Sequence, residues 1–257
     1  MAVIRANAID IHYQYLGSGE KTVVFHHGLI MDNLSSWYFT LGTRVSGFAR
    51  ALMYDLRGHG KTQRPESGYT LPDFVADLAA LLDGLGLVDP VYLVGNSFGG
   101  ILNLAFALAY PERTAGIVLI DAHIGDSGFA ADMTETLSLE GDARDRAIAA
   151  SFKTWLGRHS SRKRNRLADN AHGLVYGTSL VHDIRNFRPI SEHSLAEIAC
   201  PVLAIYGEHS DIRDKGEILK SLLPQCDFRV IKGCTHSVIW EATEELCEQV
   251  TRWLTCQ

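Results

Sequence analysis

The chain has 257 residues, 46% of them hydrophobic, enough to bury one sizeable core, and one domain carrying an insertion is the expectation. With 24 Lys plus Arg against 30 Asp plus Glu, a formal charge of −6 and a pI near 6.0, there is no global basic field to hold a phosphate backbone, which argues against nucleic-acid binding. No apolar run approaches the ~18 residues of a membrane span, so no membrane partner is expected.

Met1-Ala-Val-Ile-Arg-Ala-Asn lacks the basic region, apolar stretch and cleavage site of a signal peptide. The first periodic segment, Ile9-Asp-Ile-His-Tyr-Gln-Tyr15, alternates apolar with polar residues, as a half-exposed antiparallel edge strand does. Short apolar runs then recur at Val23-Val-Phe25, Ala51-Leu-Met-Tyr54, Val91-Tyr-Leu-Val94, Gly116-Ile-Val-Leu-Ile120, Val202-Leu-Ala-Ile-Tyr206 and Phe228-Arg-Val-Ile231. Each reads as a strand buried on both faces. Helical patterns fall at about 72–86, 98–110, 212–223 and 240–254, with Pro72 near a start and Pro111 just past an end. Alternating strands and helices predict an α/β fold with a mainly parallel, doubly wound sheet, whose ligands gather beyond the carboxyl ends of the strands.

The alternation breaks over 124–195, which carries helical patterns and no convincing strand. This predicts a helical cap inserted into a core made of 1–123 and 196–257. The cap contains a basic run, Ser160-Ser-Arg-Lys-Arg-Asn-Arg166, which reads first as a solvated helix face. Five cysteines, Cys200, Cys226, Cys234, Cys247 and Cys256, are odd in number and show no C-x-x-C spacing, which points to a reducing, cytoplasmic setting. The histidines lack the spacings of a metal site, and neither metal nor cofactor is expected.

The chemistry concentrates at Val91-Tyr-Leu-Val-Gly95-Asn-Ser97-Phe-Gly99-Gly100. This is a G-x-S-x-G nucleophile elbow between a strand and a helix, the context the motif requires. The serine of such an elbow sits on a strained turn, and its flanking glycines allow the backbones to approach closely. Gly58-His-Gly-Lys-Thr62 mimics a phosphate loop, but Asp55 stands where the first glycine would be needed.

In these features the chain resembles the α/β-hydrolase superfamily, over nearly its whole length and in motif order. The matching pieces are His26-His27-Gly28, Asp55-Leu-Arg-Gly-His-Gly60, Gly95-Asn-Ser-Phe-Gly-Gly100, Gly207-Glu-His-Ser-Asp211 and Gly233-Cys-Thr-His236. The resemblance implies the order nucleophile, acid, base, filled here by Ser97, Asp211 and His236. His236 would take the serine proton, and Asp211 would fix the imidazole tautomer. Asp121, at the end of the Ile117–Ile120 run, is the rival acid, with Glu208 and Asp214 also near strand ends; His209 is the nearest rival to His236. The oxyanion hole is expected from the backbone N–H groups of Leu29 and Phe98. Asp55, Arg57 and His59 are expected to form a polar network supporting the Leu29 loop. Trp37, Trp155, Tyr176 and Trp240 are the substrate-binding candidates, with Tyr38, Phe98 and Phe187 as further aromatics of an apolar pocket.

Three functions stay open. The main reading is a serine hydrolase that cleaves an ester, thioester or related small-molecule acyl compound through an acyl-enzyme. Under it, Arg162, Lys163, Arg164 and Arg166 would meet an acyl carrier protein or a coenzyme A thioester. The second is a carbon–carbon bond hydrolase acting on a diketone-type substrate, since relatives that open ring-fission products often carry Gly-Asn-Ser-x-Gly-Gly. The third is a hydrolase-fold ligand-binding protein with slow turnover. The oligomeric state is left as monomer or homodimer.

Overall fold

The computed structural model describes residues 2–151 and 161–257. Among the described residues eight strands form one sheet: β1 (Ala2–Ala6), β2 (Ile9–Leu16), β3 (Thr22–His26), β4 (Arg50–Tyr54), β5 (Val91–Ser97), β6 (Thr114–Ala122), β7 (Val202–Gly207) and β8 (Cys226–Ile231), in the order β1-β2-β4-β3-β5-β6-β7-β8. From β4 to β8 every neighbouring pair is parallel, and β1 and β2 are antiparallel. The expected edge strand, β2, is in fact the second strand. Ala2–Ala6 pairs along its outer side and is itself the edge, with Val3 62% exposed.

Because side chains alternate along each strand, the sheet feeds two apolar layers. Val23, Phe25, Val94, Val118 and Leu203 face one layer, closed by α1 (Ser35–Tyr38), α2 (Leu41–Val45) and residues of the C-terminal helices. On the other face Val24, Leu52 and Leu93 pack against α3 (Leu71–Gly84) and α4 (Phe98–Ala109). A capping box at Thr70 and Asp73, with Pro72 in the first turn, starts α3.

Between β6 and β7 the described residues hold only helices: α5 (Ser127–Ser138), α6 (Gly141–Ser151), α7 (Ser161–Gly177), α8 (Leu180–Arg185) and α9 (Glu192–Ala196). A helical insertion thus stands between β6 and β7. Phe129, Leu137, Leu167, Leu174 and Ile184 join the apolar layer of α3 and α4. The insertion closes at its base where Ile190 N–H donates to Gly125 O at 2.8 Å and Lys215 pairs with Asp126 at 2.8 Å. After β7 come α10 (Arg213–Leu222), then, after β8, α11 (Val238–Glu241) and α12 (Thr243–Cys256). No helix among the described residues is long and apolar enough to cross a membrane, and among them no group of three metal-ligating side chains occurs.

Candidate active site

Ser97 is the last residue of β5 and caps α4 at φ 50°, ψ −120°. A non-glycine residue in this region of backbone space is strained and is held only where its surroundings dictate it. The surroundings are glycines. A Cβ on Gly95 would run into Gly99 O, one on Gly99 into His26 O, and one on Gly100 into the Ala122 side chain. Only hydrogen at these positions lets the elbow press against β3 and β6.

The elbow's neighbour, β6, contains the decisive irregularity. Asn96 pairs with Ile120 and Ser97 with Ala122, so Asp121 is the extra residue of a bulge, at φ 43°. Aspartate tolerates this left-handed geometry better than most residues. The bulge turns the Asp121 carboxylate, only 2% exposed, toward the end of β7. There Oδ2 accepts from Gly207 N–H at 2.6 Å, and Oδ1 accepts from the Ser210 hydroxyl and from His236 Nδ1–H at 3.1 Å.

The hydrogen-bond partner of His236 is therefore Asp121, not Asp211. The physical reason is the bulge, which aims a buried β6 carboxylate at the base. The loop after β7 contributes the Ser210 hydroxyl, while Asp211 is exposed and acts on the imidazole through its charge alone. Glu208 accepts from Gly233 N–H at 2.9 Å and Asp214 pairs with Lys215, so neither serves His236. His209 stands on the cavity rim beside Glu208.

With its Nδ1 proton committed to a carboxylate, His236 presents Nε2 as an acceptor. Its side chain is 39% exposed. Burial opposes charge on the ring, but the hydrogen bond to Asp121, the charge of Asp121 and that of Asp211 outweigh it and hold the imidazole above its ordinary value. The loop is pinned by Glu241, which accepts from Thr235 N–H at 2.7 Å. His123, which the sequence gave no reason to single out, lies 6.0 Å from His236 between ring centroids, and its backbone N–H donates to Ser97 O at 3.3 Å. Burial and the neighbouring His236 push His123 down to about 4, so its ring stays neutral.

Ser97 and His236 share the wall of a cavity of about 260 Å³ with Gly28, Leu29, Asp32, Asn96, Asp211 and Trp240. Among the described residues no direct hydrogen bond joins the Ser97 hydroxyl to His236, a looseness common before substrate closes such a site. Leu29 N–H meets no side chain or loop carbonyl among the described residues, and Phe98, first residue of α4, has no intrahelical acceptor for its own N–H. Phe98 directly follows the serine, and Leu29 lies in the same cavity wall.

The loop that carries Leu29 is built by the expected polar network. Ile30, at φ 73°, donates its N–H to His59 Nε2 at 2.8 Å, and His59 Nδ1–H donates to Arg57 O at 2.8 Å. Complete burial pushes His59 down to about 3, which keeps Nε2 free to accept. Asp55 accepts from Leu34 N–H at 2.8 Å and from Lys61 N–H at 2.9 Å and holds His12 at 2.7 Å. Arg57 turns away to a buried pair with Asp77 at 2.6 Å.

Of the aromatic candidates, Trp240 lines the cavity. Trp37 does not. It is 0% exposed, packs on Phe25 at 5.4 Å and belongs to the core under α1, because the short helix turns its indole toward the sheet. Tyr176 is 41% exposed near the end of α7, where Arg144 sits over its ring at 4.7 Å, and it does not reach the cavity. Phe98 stacks with Phe74 and Phe129, Phe187 packs on Phe129, and Tyr38 covers the core layer. Trp155 lies outside the described residues, as do the side chains of Arg162, Lys163 and Arg164; Arg166 is exposed.

The family described as alpha/beta hydrolase fold matches residues 21–243. The chain is 31% identical over 266 residues to 2-hydroxy-6-oxononadienedioate/2-hydroxy-6-oxononatrienedioate hydrolase of Paraburkholderia phymatum, covering 96% of this chain and 91% of the relative. It is 38% identical over 122 residues to 2-hydroxy-6-oxo-2,4-heptadienoate hydrolase of Pseudomonas putida, covering 47% of this chain and 44% of that one. Among solved structures, a thermophilic esterase from Thermogutta terrifontis superposes with a TM-score of 0.81 at 22% identity, over 99% of this chain and 97% of that one. The chain belongs to the alpha/beta hydrolase fold family and is a hydrolase.

Proposed function

We propose that the chain is a serine-dependent carbon–carbon bond hydrolase acting on a 2-hydroxy-6-oxo-dienoate or a closely similar diketone-type compound. The observation that carries the reaction type is the His236–Asp121 pair, buried at one end and open at the other onto the cavity that contains Ser97. The bond type is supported by the full-length similarity to a hydrolase named for such a substrate. Ester hydrolysis, the first expectation from the sequence, uses the same groups and is the comparator.

The substrate first ketonises, the 2-hydroxyl proton being lost and a proton gained at C5. His236 Nε2 then accepts the Ser97 proton as Oγ adds to the 6-oxo carbon, and the resulting oxyanion takes the Leu29 and Phe98 N–H groups. Collapse breaks the C5–C6 bond, and its electron pair flows through the C3=C4 double bond onto the 2-oxo oxygen. The dienolate takes the proton from His236 and leaves as 2-hydroxypenta-2,4-dienoate. Water, deprotonated by His236, releases the acid from Ser97 and restores the hydroxyl. Asp121 holds the Nδ1 tautomer throughout and stabilises the charged ring between the two proton transfers.

The test is loss of the dienoate's visible absorbance on mixing with enzyme, run beside a p-nitrophenyl ester series. Higher kcat/KM for the dienoate is the expected result. Ester turnover with no change in the dienoate would overturn the carbon–carbon assignment.

A further inference from the structure

We propose that the cavity selects substrates whose acyl half is short and uncharged, because Asp32 and Asp211 set two carboxylates in its wall, apart from the buried Asp121 that holds His236. The inference rests on the carbon–carbon hydrolase reading and narrows its substrate.

Asp32 is locked in place. Its Oδ2 accepts from Gly28 N–H at 3.0 Å, and its Oδ1 accepts from Asn33 N–H at 2.8 Å and from the Ser36 hydroxyl. It cannot swing away from an incoming anion without undoing the loop that carries Leu29. It is also close to the chemistry: a Cβ placed on Gly28 would stand 3.6 Å from both Asp32 Oδ2 and Ser97 Cβ. Asp211 stands on the His236 side of the same cavity. It has no hydrogen-bond or ion-pair partner among the described residues, and its charge is felt at both His123 and His236. The described lining carries no lysine or arginine. At about 260 Å³ the cavity lies at or below the small end of ligand sites, so a charged group tethered near the scissile carbonyl has little room to escape these carboxylates.

The two dienoates in the relatives' names differ in this respect. Both carry a carboxylate at C1, five bonds from the 6-oxo carbon at the end of a conjugated rod, so that group can extend beyond the cavity. The nonadienedioate has a second carboxylate at C9, three bonds from the 6-oxo carbon and inside the cavity during reaction. The heptadienoate has only a methyl group there. Repulsion between one such pair of charges at roughly 6 Å in a partly wet site corresponds to about a 10-fold loss in kcat/KM. It should shrink as salt rises past ~0.1 M.

The experiment measures kcat/KM of the full chain for 2-hydroxy-6-oxohepta-2,4-dienoate and 2-hydroxy-6-oxonona-2,4-dienedioate at low and high salt, in the wild type and in Asp211→Asn. The expected result is a preference of about 10-fold or more for the heptadienoate at low salt, reduced by salt. Asp211→Asn should raise the dienedioate value about 5-fold while moving the heptadienoate value less than about 3-fold. p-Nitrophenyl butyrate and p-nitrophenyl hemisuccinate make the same comparison in ester chemistry. If neither dienoate is cleaved but the ester pair shows the preference, the carbon–carbon reading falls and the charge selection stands. Equal rates for both dienoates, unmoved by Asp211→Asn, overturn the selection and leave the carbon–carbon reading intact. If none of the four is turned over, the inference is read from protection of Ser97 against a fluorophosphonate. Butyrate should protect better than succinate, and equal protection overturns it.

Discussion

Replacing Asp121 by asparagine removes one oxygen acceptor from a carboxylate that serves three donors: His236 Nδ1–H, the Ser210 hydroxyl and Gly207 N–H. An asparagine that keeps its oxygen on Gly207 turns its NH2 toward His236. The imidazole proton must then move to Nε2, where it blocks acceptance from Ser97. In a triad of this logic the wrong tautomer costs on the order of 10⁴-fold in kcat. Asp211→Asn removes only a more distant charge and should cost less than about 3-fold with a neutral substrate. The assay is kcat on a neutral p-nitrophenyl ester, with fluorophosphonate labelling of Ser97 as a direct readout and thermal unfolding to establish that both variants are folded. A folded Asp121→Asn protein with near wild-type kcat, beside an Asp211→Asn protein reduced 10³-fold, would refute the assignment of the acid to β6.

The raised position of His236 predicts that the acid limb of kcat/KM lies above pH 6.5 in the wild type. Activity falls as pH drops through that limb because the base must be neutral, and Asp121→Asn should shift the limb to lower pH; a pH profile of the two proteins checks both. Trp37→Ala should destabilise the fold by about 3–5 kcal/mol, whereas Trp240→Ala, at a half-buried position, should raise KM with a smaller loss of stability, as urea unfolding and steady-state kinetics will show. Gly99→Ala drives a methyl group into His26 O and should cost at least about 1–3 kcal/mol, read as a lower urea midpoint. His59→Ala leaves the strained Ile30 N–H without its acceptor and should cost about 1–3 kcal/mol with a larger proportional loss in kcat, because the Leu29 amide loses its support.

The strands β3 to β7 were legible because they are buried on both faces and therefore read as unbroken apolar runs; β8, read the same way, is instead the far edge of the sheet, with only Ile231 buried and Val230 40% exposed. β1 was not, because Ala2–Ala6 is short, interrupted by Arg5 and mostly exposed. The elbow was legible because its glycines are demanded by close backbone contacts that any sequence for this turn must respect. The acid was not, because the feature that selects Asp121 over Asp211 is a one-residue bulge in pairing between β5 and β6. Both aspartates follow strands, and a bulge leaves no periodic trace. The hydroxyl of Ser210, one residue before Asp211, was the available hint that the β7 loop donates to a carboxylate. Trp37 misled for a related reason: an aromatic shortly after His26-His27-Gly28 can face the cavity or the core, and only the direction of the short helix α1 decides.

Placing nucleophile and acid on adjacent strands divides the site mechanically. Ser97 pairs with Ala122, the neighbour of Asp121, so nucleophile and acid are held by paired strands, whereas His236 rides on a loop beyond β8 pinned through Glu241. Any breathing of the site is thereby channelled into the imidazole's loop. Loosening that loop would detune the proton shuttle while leaving the elbow and its carboxylate neighbour in register.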